Sequence, residues 1–226
     1  GQTPAPSIDV TKAIGDVTAN AGTPGVFDVP ITITISNDGN LNLSDVQITD
    51  DIATQIAPAL LLSIADLQIS GDLAAADLDS NYNGETVTTL LQAGTALNVG
   101  QSATITFTVS VDPNGSAGPF DNVASATATS GGGDASDDSD PQQFEIPETL
   151  ALTLEKDASE PTVNADGTVD ITYTIALTND SNVPVSDVQI VDDLAATFAG
   201  ADDFSINGTI SATGGVSLNP SSDRET

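Results

Sequence analysis

Oxygens of carboxylates, hydroxyls and amides are the groups available to bind a metal ion in this chain, because histidine and cysteine are absent. Oxygen ligands of this kind suit hard cations such as calcium. Between Asp79 and Glu85, Asp79, Asn81 and Asn83 alternate before Gly84, as in the first half of a calcium-binding loop. We therefore predict calcium as the cofactor, with ligands at Asp79, Asn81, Asn83 and Glu85.

Two interpretations of this segment remain open. Leu90 stands where a helix–loop–helix calcium site carries its bidentate acid, so that architecture is excluded. The segment is either a calcium loop between strands or a polar turn, in which Asn and Asp simply favour the turn conformation.

A second acidic cluster lies between Gly131 and Pro141, where it is predicted to join two strands. Its four aspartates repel one another unless they are solvated or bound to a cation. It is either a flexible solvated loop or a calcium site shared with a neighbouring domain. The candidate ligands are Asp134, Asp137, Asp138 and Asp140.

Two lysines and two aspartates are predicted to face the core. Lys12 and Lys156 each continue a period-two run of apolar residues, and so do Asp50 and Asp192. A buried charge needs a partner. Three arrangements are open: the lysines snorkel out at the strand ends, they form Lys–Asp salt bridges, or they form an amide crosslink to Asp or to Asn122.

The charge balance limits the partners that this chain can bind. It has 33 acidic and 3 basic residues, a formal net charge of −30. A polyanion repels nucleic acid and anionic membrane surfaces, so we predict neither as a partner, and no membrane insertion by this segment. Such a charge also opposes compaction unless cations offset it, which favours an extracellular or cell-surface location.

Alternation of apolar and polar residues predicts an all-β protein. Strands are expected over 29–36, 44–50, 103–111, 120–129 and 142–147, with turns rich in Gly, Asn and Asp between them. A short helical turn is expected around 57–66. About seven short strands in about 135 residues indicate an immunoglobulin-like Greek-key β-sandwich.

The sequence contains an internal repeat, which predicts tandem sandwiches. Residues 25–52 match residues 167–194, with 14 of the 28 positions identical. We predict a linker or extension at 1–7, a first repeat at 8–147, and the first half of a second repeat at 148–226. Strands are expected at about 150–156, 169–178 and 186–192. Either the polypeptide continues, or an identical chain or neighbouring repeat completes the half-domain by strand addition.

The chain resembles a known repeat family at Asn37-Asp38-Gly39-Asn40 followed by Val46-Gln47-Ile48-Thr49-Asp50-Asp51. This is the conserved repeat domain of bacterial and archaeal surface proteins, catalogued as domain-of-unknown-function family eleven. The later strands around 102–109 and 118–124 are similar too. The resemblance implies a secreted or cell-surface stalk, adhesin or filament protein without catalytic residues.

These observations together predict a structural protein rather than an enzyme. We expect a repeat module of a bacterial extracellular filament, stalk or adhesin that calcium stiffens. The alternative is a carbohydrate- or protein-binding ectodomain of a cell-surface protein, although aromatic residues make up only 4% of the chain and offer little for a sugar platform.

Overall fold

The computed structural model describes residues 2–219. The chain divides into two compact units, with the boundary between Val185 and Ser186. The first unit is built from antiparallel strands, with the helix α1 (Ile52–Gln55) and a 3-10 turn at Ala75–Asp77. Its strands are β1 (Asp9–Ile14), β2 (Thr18–Ala19), β3 (Phe27–Ser36), β4 (Ser44–Thr49), β5 (Leu60–Gly71), β6 (Ser102–Asp112), β7 (Phe120–Asn122), β8 (Ser125–Ser130), β9 (Gly133–Asp138), β10 (Gln142–Phe144), β11 (Leu152–Ala158), β12 (Thr162–Val163), β13 (Val169–Asp170) and β14 (Tyr173–Asn179).

Two antiparallel sheets form the sandwich of the first copy, which confirms the predicted all-β fold. The front sheet has the order β1-β3-β6-β5, with β2 also paired to β3, and the back sheet has the order β4-β8-β9. The chain crosses between the sheets after β3 and again after β4, as in Greek-key sandwiches. The strands β7 and β10 form a separate two-stranded sheet. Along the chain they stand on either side of β8 and β9.

The core forms where the inner faces of the two sheets meet. Alternate residues of β3 are buried, because successive side chains of a strand point to opposite faces. The long connection between β5 and β6 adds further buried leucines. Side chains with at most 2% exposure include Ile33, Ile35, Ile48, Leu90, Leu91, Leu97 and Ile105. Burying each such side chain stabilises the fold by about 1.5–3 kcal/mol.

The helical turn predicted around 57–66 is wrong. Residues 60–66 belong to β5, which pairs with β6, and the helix α1 lies before this segment. The register of β5 shifts between Leu61 and Ser63 and again between Ala65 and Gln68. Asp66 has a positive φ of 55° at the second irregularity. These bulges break the alternation, so the strand pattern is not visible in the sequence.

The region from 120 to 141 also differs from the prediction. The single strand expected over 120–129 divides into β7 and β8, which pair with different strands. The loop expected over 131–141 contains β9, an edge strand paired with β8. Only Ala135 is buried within β9, so the strand has no apolar alternation to predict it. Charged side chains are typical of exposed edge strands.

The second copy begins with the ribbon of β11 and β14 and the small pair of β12 and β13. The strand expected over 150–156 corresponds to β11, and the one expected over 169–178 divides into β13 and β14. In the second unit, the strand expected over 186–192 is not formed; the described part of that unit has the helix α2 (Leu194–Thr197). In the first copy the equivalent strand β4 pairs with β8. None of the helices among the described residues is long and apolar enough to cross a membrane.

Candidate functional site: a buried lysine, aspartate and asparagine

Lys12 and Asp50 meet in the core of the first copy. Lys12 lies on β1 in phase with the buried residues Ile8 and Val10, and Asp50 follows β4 directly. The Lys12 Nζ donates to the Asp50 Oδ2, and neither side chain has any exposed surface. Lys12 therefore does not snorkel to the solvent, and the carboxylate is its partner.

Asn122 completes this cluster from the end of β7. Its Nδ2 donates to the Asp50 Oδ1 over 2.9 Å and to the Gln55 Oε1 over 3.0 Å. The Gln55 Oε1 also accepts from the Val123 backbone N–H, and the Gln55 Nε2 donates to the Val123 carbonyl. These paired bonds orient Gln55 and through it the amide of Asn122. The Asn122 Oδ1 is buried and has no hydrogen-bond partner.

Burial dominates the electrostatics of the cluster. It lowers the pKa of Lys12, and the attraction and hydrogen bond of Asp50 partly offset this effect. Burial likewise raises the pKa of Asp50, against the opposing influence of Lys12 and Asn122. Tyr82 donates its hydroxyl to the Asp50 backbone carbonyl over 3.3 Å, and burial raises the pKa of Tyr82. Burial thus disfavours the charged forms of these groups, and the contact between Lys12 and Asp50 opposes that effect.

The predicted calcium loop is a turn closed by its own hydrogen bonds. The Asp79 Oδ1 accepts from the backbone N–H and the side-chain amide of Asn81, each over 2.9 Å. The Asn83 Oδ1 accepts from three successive backbone N–H groups, those of residues 85–87. Gly84 has a φ of +68°, and a Cβ there would lie 3.1 Å from Ile64. The geometry of this loop is accounted for without an ion, and calcium stays a prediction.

The acidic residues of β9 point to different faces of the strand. Asp134, Asp138 and Asp140 are exposed, whereas Asp137 is half-buried and its Oδ2 accepts from the Val10 backbone N–H over 2.8 Å. Within residues 2–219, no three acidic side chains are grouped in a way that could hold a metal ion. The two predicted sets of ligands therefore do not form a ready-made calcium cage.

The equivalent lysine of the second copy has a different environment. Lys156 lies exposed on β11, with its ammonium 4.5 Å from the centroid of the Tyr173 ring. Asp192 belongs to the second unit. A pair between these two residues stays a prediction.

Sequence reasoning missed several residues that build the first-copy site. Gln55 and Tyr82 lie outside the strand alternation, and their contacts to residues 122 and 50 span 67 and 32 positions. Beyond this site, Asn40 stands in the motif that carries the family resemblance, and in the structure it binds the segment that precedes the first strand. The recurrence of this asparagine as Asn182 in the repeat was the signal that could have identified it.

Solved structures give distant likenesses only. BcpA, the major pilin subunit of Bacillus cereus, is similar at 13% identity with a TM-score of 0.46, covering 78% of this chain and 56% of the pilin. A second BcpA structure gives 11% identity and a TM-score of 0.47 with the same coverage. A family 123 glycoside hydrolase from Clostridium perfringens is similar at 11% identity with a TM-score of 0.31, covering 62% of this chain and 27% of the hydrolase. This chain thus spans little more than half the length of the pilin, and neither protein's activity extends to it at such distances.

No family model and no curated protein matches this chain.

Proposed function

We propose that this chain is a structural repeat module of a bacterial extracellular filament, stalk or adhesin. The observation that carries the proposal is that the repeat recurs in three dimensions. In the first copy Val10 pairs with Ile35 and Lys12 with Ile33. The second copy pairs Leu154 with Leu177 and Lys156 with Ile175 in the same register.

The asparagine turn after each hairpin also recurs. The Asn37 Nδ2 donates to the Leu41 carbonyl, and the Asn179 Nδ2 donates to the Val183 carbonyl. Each turn begins with the same local bond, in which the asparagine Oδ1 accepts from the backbone N–H two positions later. A hairpin and turn repeated at this level of detail support an array of like modules.

Each copy also binds the segment that leads into it. The Asn40 Oδ1 accepts from the Ala5 N–H over 2.8 Å, and its Nδ2 donates to the Thr3 carbonyl over 2.9 Å. Asn182 repeats both bonds, with the Thr149 N–H over 2.8 Å and the Pro147 carbonyl over 2.9 Å. In each copy the asparagine side chain thus binds one backbone N–H and one backbone carbonyl of the incoming segment. A segment held in this way transmits force better than a free linker, which suits a load-bearing array.

The finer parts of this proposal are a cell-surface location, association with identical chains, and stiffening by calcium. The net charge of −30 supports the last of these, because bound cations reduce self-repulsion. Association by strand addition is supported by the apolar side chains that the β11–β14 ribbon leaves exposed, among them Leu152 at 49% and Leu154 at 55%.

Immunogold electron microscopy of the producing cells tests the proposal. Antibodies raised against this chain should label a fibre or stalk along its length at the cell surface, and cells lacking the gene supply the control. Label confined to the cytoplasm, or dispersed without any surface structure, would contradict a filament or stalk. Label confined to the outer surface as single points would favour the binding ectodomain instead.

A further inference from the structure

An amine and an amide meet on one buried carboxylate in the first copy. Lys12 donates to one oxygen of Asp50, and Asn122 donates to the other over 2.9 Å. Counting backbone and side chain together, the exposed fractions of the residues are 6% for Lys12, 1% for Asp50 and 0% for Asn122. A potential nucleophile, a potential acyl group and a proton carrier are thus held together away from water.

The orientation of the Asn122 amide is defined by its neighbours. Its nitrogen faces both the Asp50 Oδ1 and the Gln55 Oε1, and the latter is fixed by the Val123 N–H over 2.6 Å. Its oxygen is buried without a partner, which native interiors rarely retain. The Asn122 Nδ2 therefore faces the Asp50 carboxyl, and the Asn122 Oδ1 remains available as a hydrogen-bond acceptor.

We propose that Lys12 and Asn122 become joined covalently, through an amide bond between the Lys12 Nζ and the Asn122 Cγ, with Asp50 as the proton carrier. This bond releases one molecule of ammonia.

The reaction balances without any further reactant. Lys12 first passes one proton to Asp50, which gives a neutral amine and a carboxylic acid. The Nζ then attacks the Asn122 Cγ, and the carbonyl electron pair moves to Oδ1. The carbonyl re-forms as the bond between Cγ and Nδ2 breaks. Asp50 gives its proton to the departing nitrogen and takes one from the Nζ, so ammonia leaves and Asp50 ends protonated.

The surroundings favour this sequence of proton transfers. An amine is nucleophilic only in its neutral form, and burial lowers the pKa of Lys12. Burial raises the pKa of Asp50, so that carboxyl can hold the proton that Lys12 gives up. Asp50 is less suited as the acyl group itself, because attack there would consume the carboxyl that accepts the proton of the amine.

The bond would tie β1 to the end of β7. These strands have different pairing partners, β3 for β1 and β10 for β7. Residues 12 to 122 would then form a closed covalent loop, so tension along the chain would bypass most of the first sandwich. Such a link suits a module under load, although its formation does not depend on the function proposed above.

Mass spectrometry of the intact, purified 226-residue chain under denaturing conditions tests the proposal. We expect a mass lower than that of the sequence by one ammonia. Digestion with an acid-residue-specific protease should then yield a branched peptide that contains both Lys12 and Asn122. An unchanged mass overturns the proposal, as does the loss of one water, which would join Lys12 to Asp50.

Three variants complete the test. Asp50→Ala and Asn122→Ala should each restore the full sequence mass, whereas Lys156→Ala should retain the loss of ammonia. Because the first two variants can also fail to fold, the branched peptide of the unaltered chain is the decisive measurement. Loss of ammonia that maps to a cyclised asparagine elsewhere, with Lys12 and Asn122 in separate unbranched peptides, overturns the proposal.

Discussion

Lys12 and Asp50 lie side by side in the core with no exposed side-chain surface, although Lys12 lies on β1 of one sheet and Asp50 directly follows β4 of the other. Removing two such groups from water is costly, and the attraction between them offsets that cost only while both are present. The pair therefore makes the first sandwich sensitive to changes that leave one partner alone.

Replacing Lys12 by methionine should lower the free energy of unfolding by about 3–5 kcal/mol, because Asp50 would remain buried without its partner. Lys156→Met is the matched control, since that lysine occupies the equivalent place in the exposed ribbon. The Lys156→Met variant should lose no more than about 0.5 kcal/mol of unfolding free energy. Denaturant unfolding followed by circular dichroism measures both. Equal losses for the two variants would contradict the importance of the buried pair.

Asn37 should be a second sensitive position. It is 1% exposed, and its Nδ2 donates to the carbonyls of Leu41 and Leu97 over 2.9 and 2.8 Å. Asn37→Ala should destabilise the first copy by about 1–3 kcal/mol, because buried polar groups lose their partner. Asn179→Ala, at the exposed equivalent, is the comparison and should have a smaller effect. Thermal melting of both variants measures the two losses of stability. A larger loss for Asn179→Ala than for Asn37→Ala would contradict this prediction.

Tyr82 should make the fold sensitive to alkali. Burial raises the pKa of Tyr82 above its ordinary value of about 10, so the native state keeps a proton that the unfolded state loses. The unfolded state then binds fewer protons, and the free energy of unfolding falls as pH rises above about 10. Below that pH the contribution is fully present.

Tyr82→Phe should flatten this fall, while Tyr173→Phe should leave it in place. Denaturant midpoints measured across the alkaline range test the prediction. In the Tyr173→Phe variant all phenolate absorbance comes from Tyr82, and it should appear only as the protein unfolds. Phenolate absorbance from a chain that is still folded would refute the buried, protonated state.

Calcium should raise the thermal stability if the acidic residues bind it. Binding to the native state alone adds about 3–4 kcal/mol per ion at 100–1000 times the dissociation constant. Melting midpoints with millimolar calcium and with chelator, at matched ionic strength, provide the measurement. The double variant Asp79→Ala/Asn81→Ala should lose part of the shift, and identical midpoints with and without calcium would exclude a stabilising ion.

The exposed face of the β11–β14 ribbon should promote association between chains. Leaving a large apolar side chain in water forgoes about 1.5–3 kcal/mol, so contacts that cover Leu154 are favourable. Leu154→Glu should reduce concentration-dependent association in analytical ultracentrifugation. Leu62→Glu is the control, because Leu62 is 51% exposed on β5 of the first copy. A chain that stays monomeric at all concentrations, with slow amide exchange throughout 152–158, would argue against association.

The sequence alone determined the all-β class, the repeat and the inward direction of Lys12 and Asp50, because each depends on a local period of two or on self-similarity. Tertiary structure decided what lies beyond the reach of local patterns. Bulges hide β5, and the polar strand β9 exists only because β8 offers it a partner. Asn122 reaches Asp50 across 72 positions, a contact that only the tertiary packing of β7 against the end of β4 brings about.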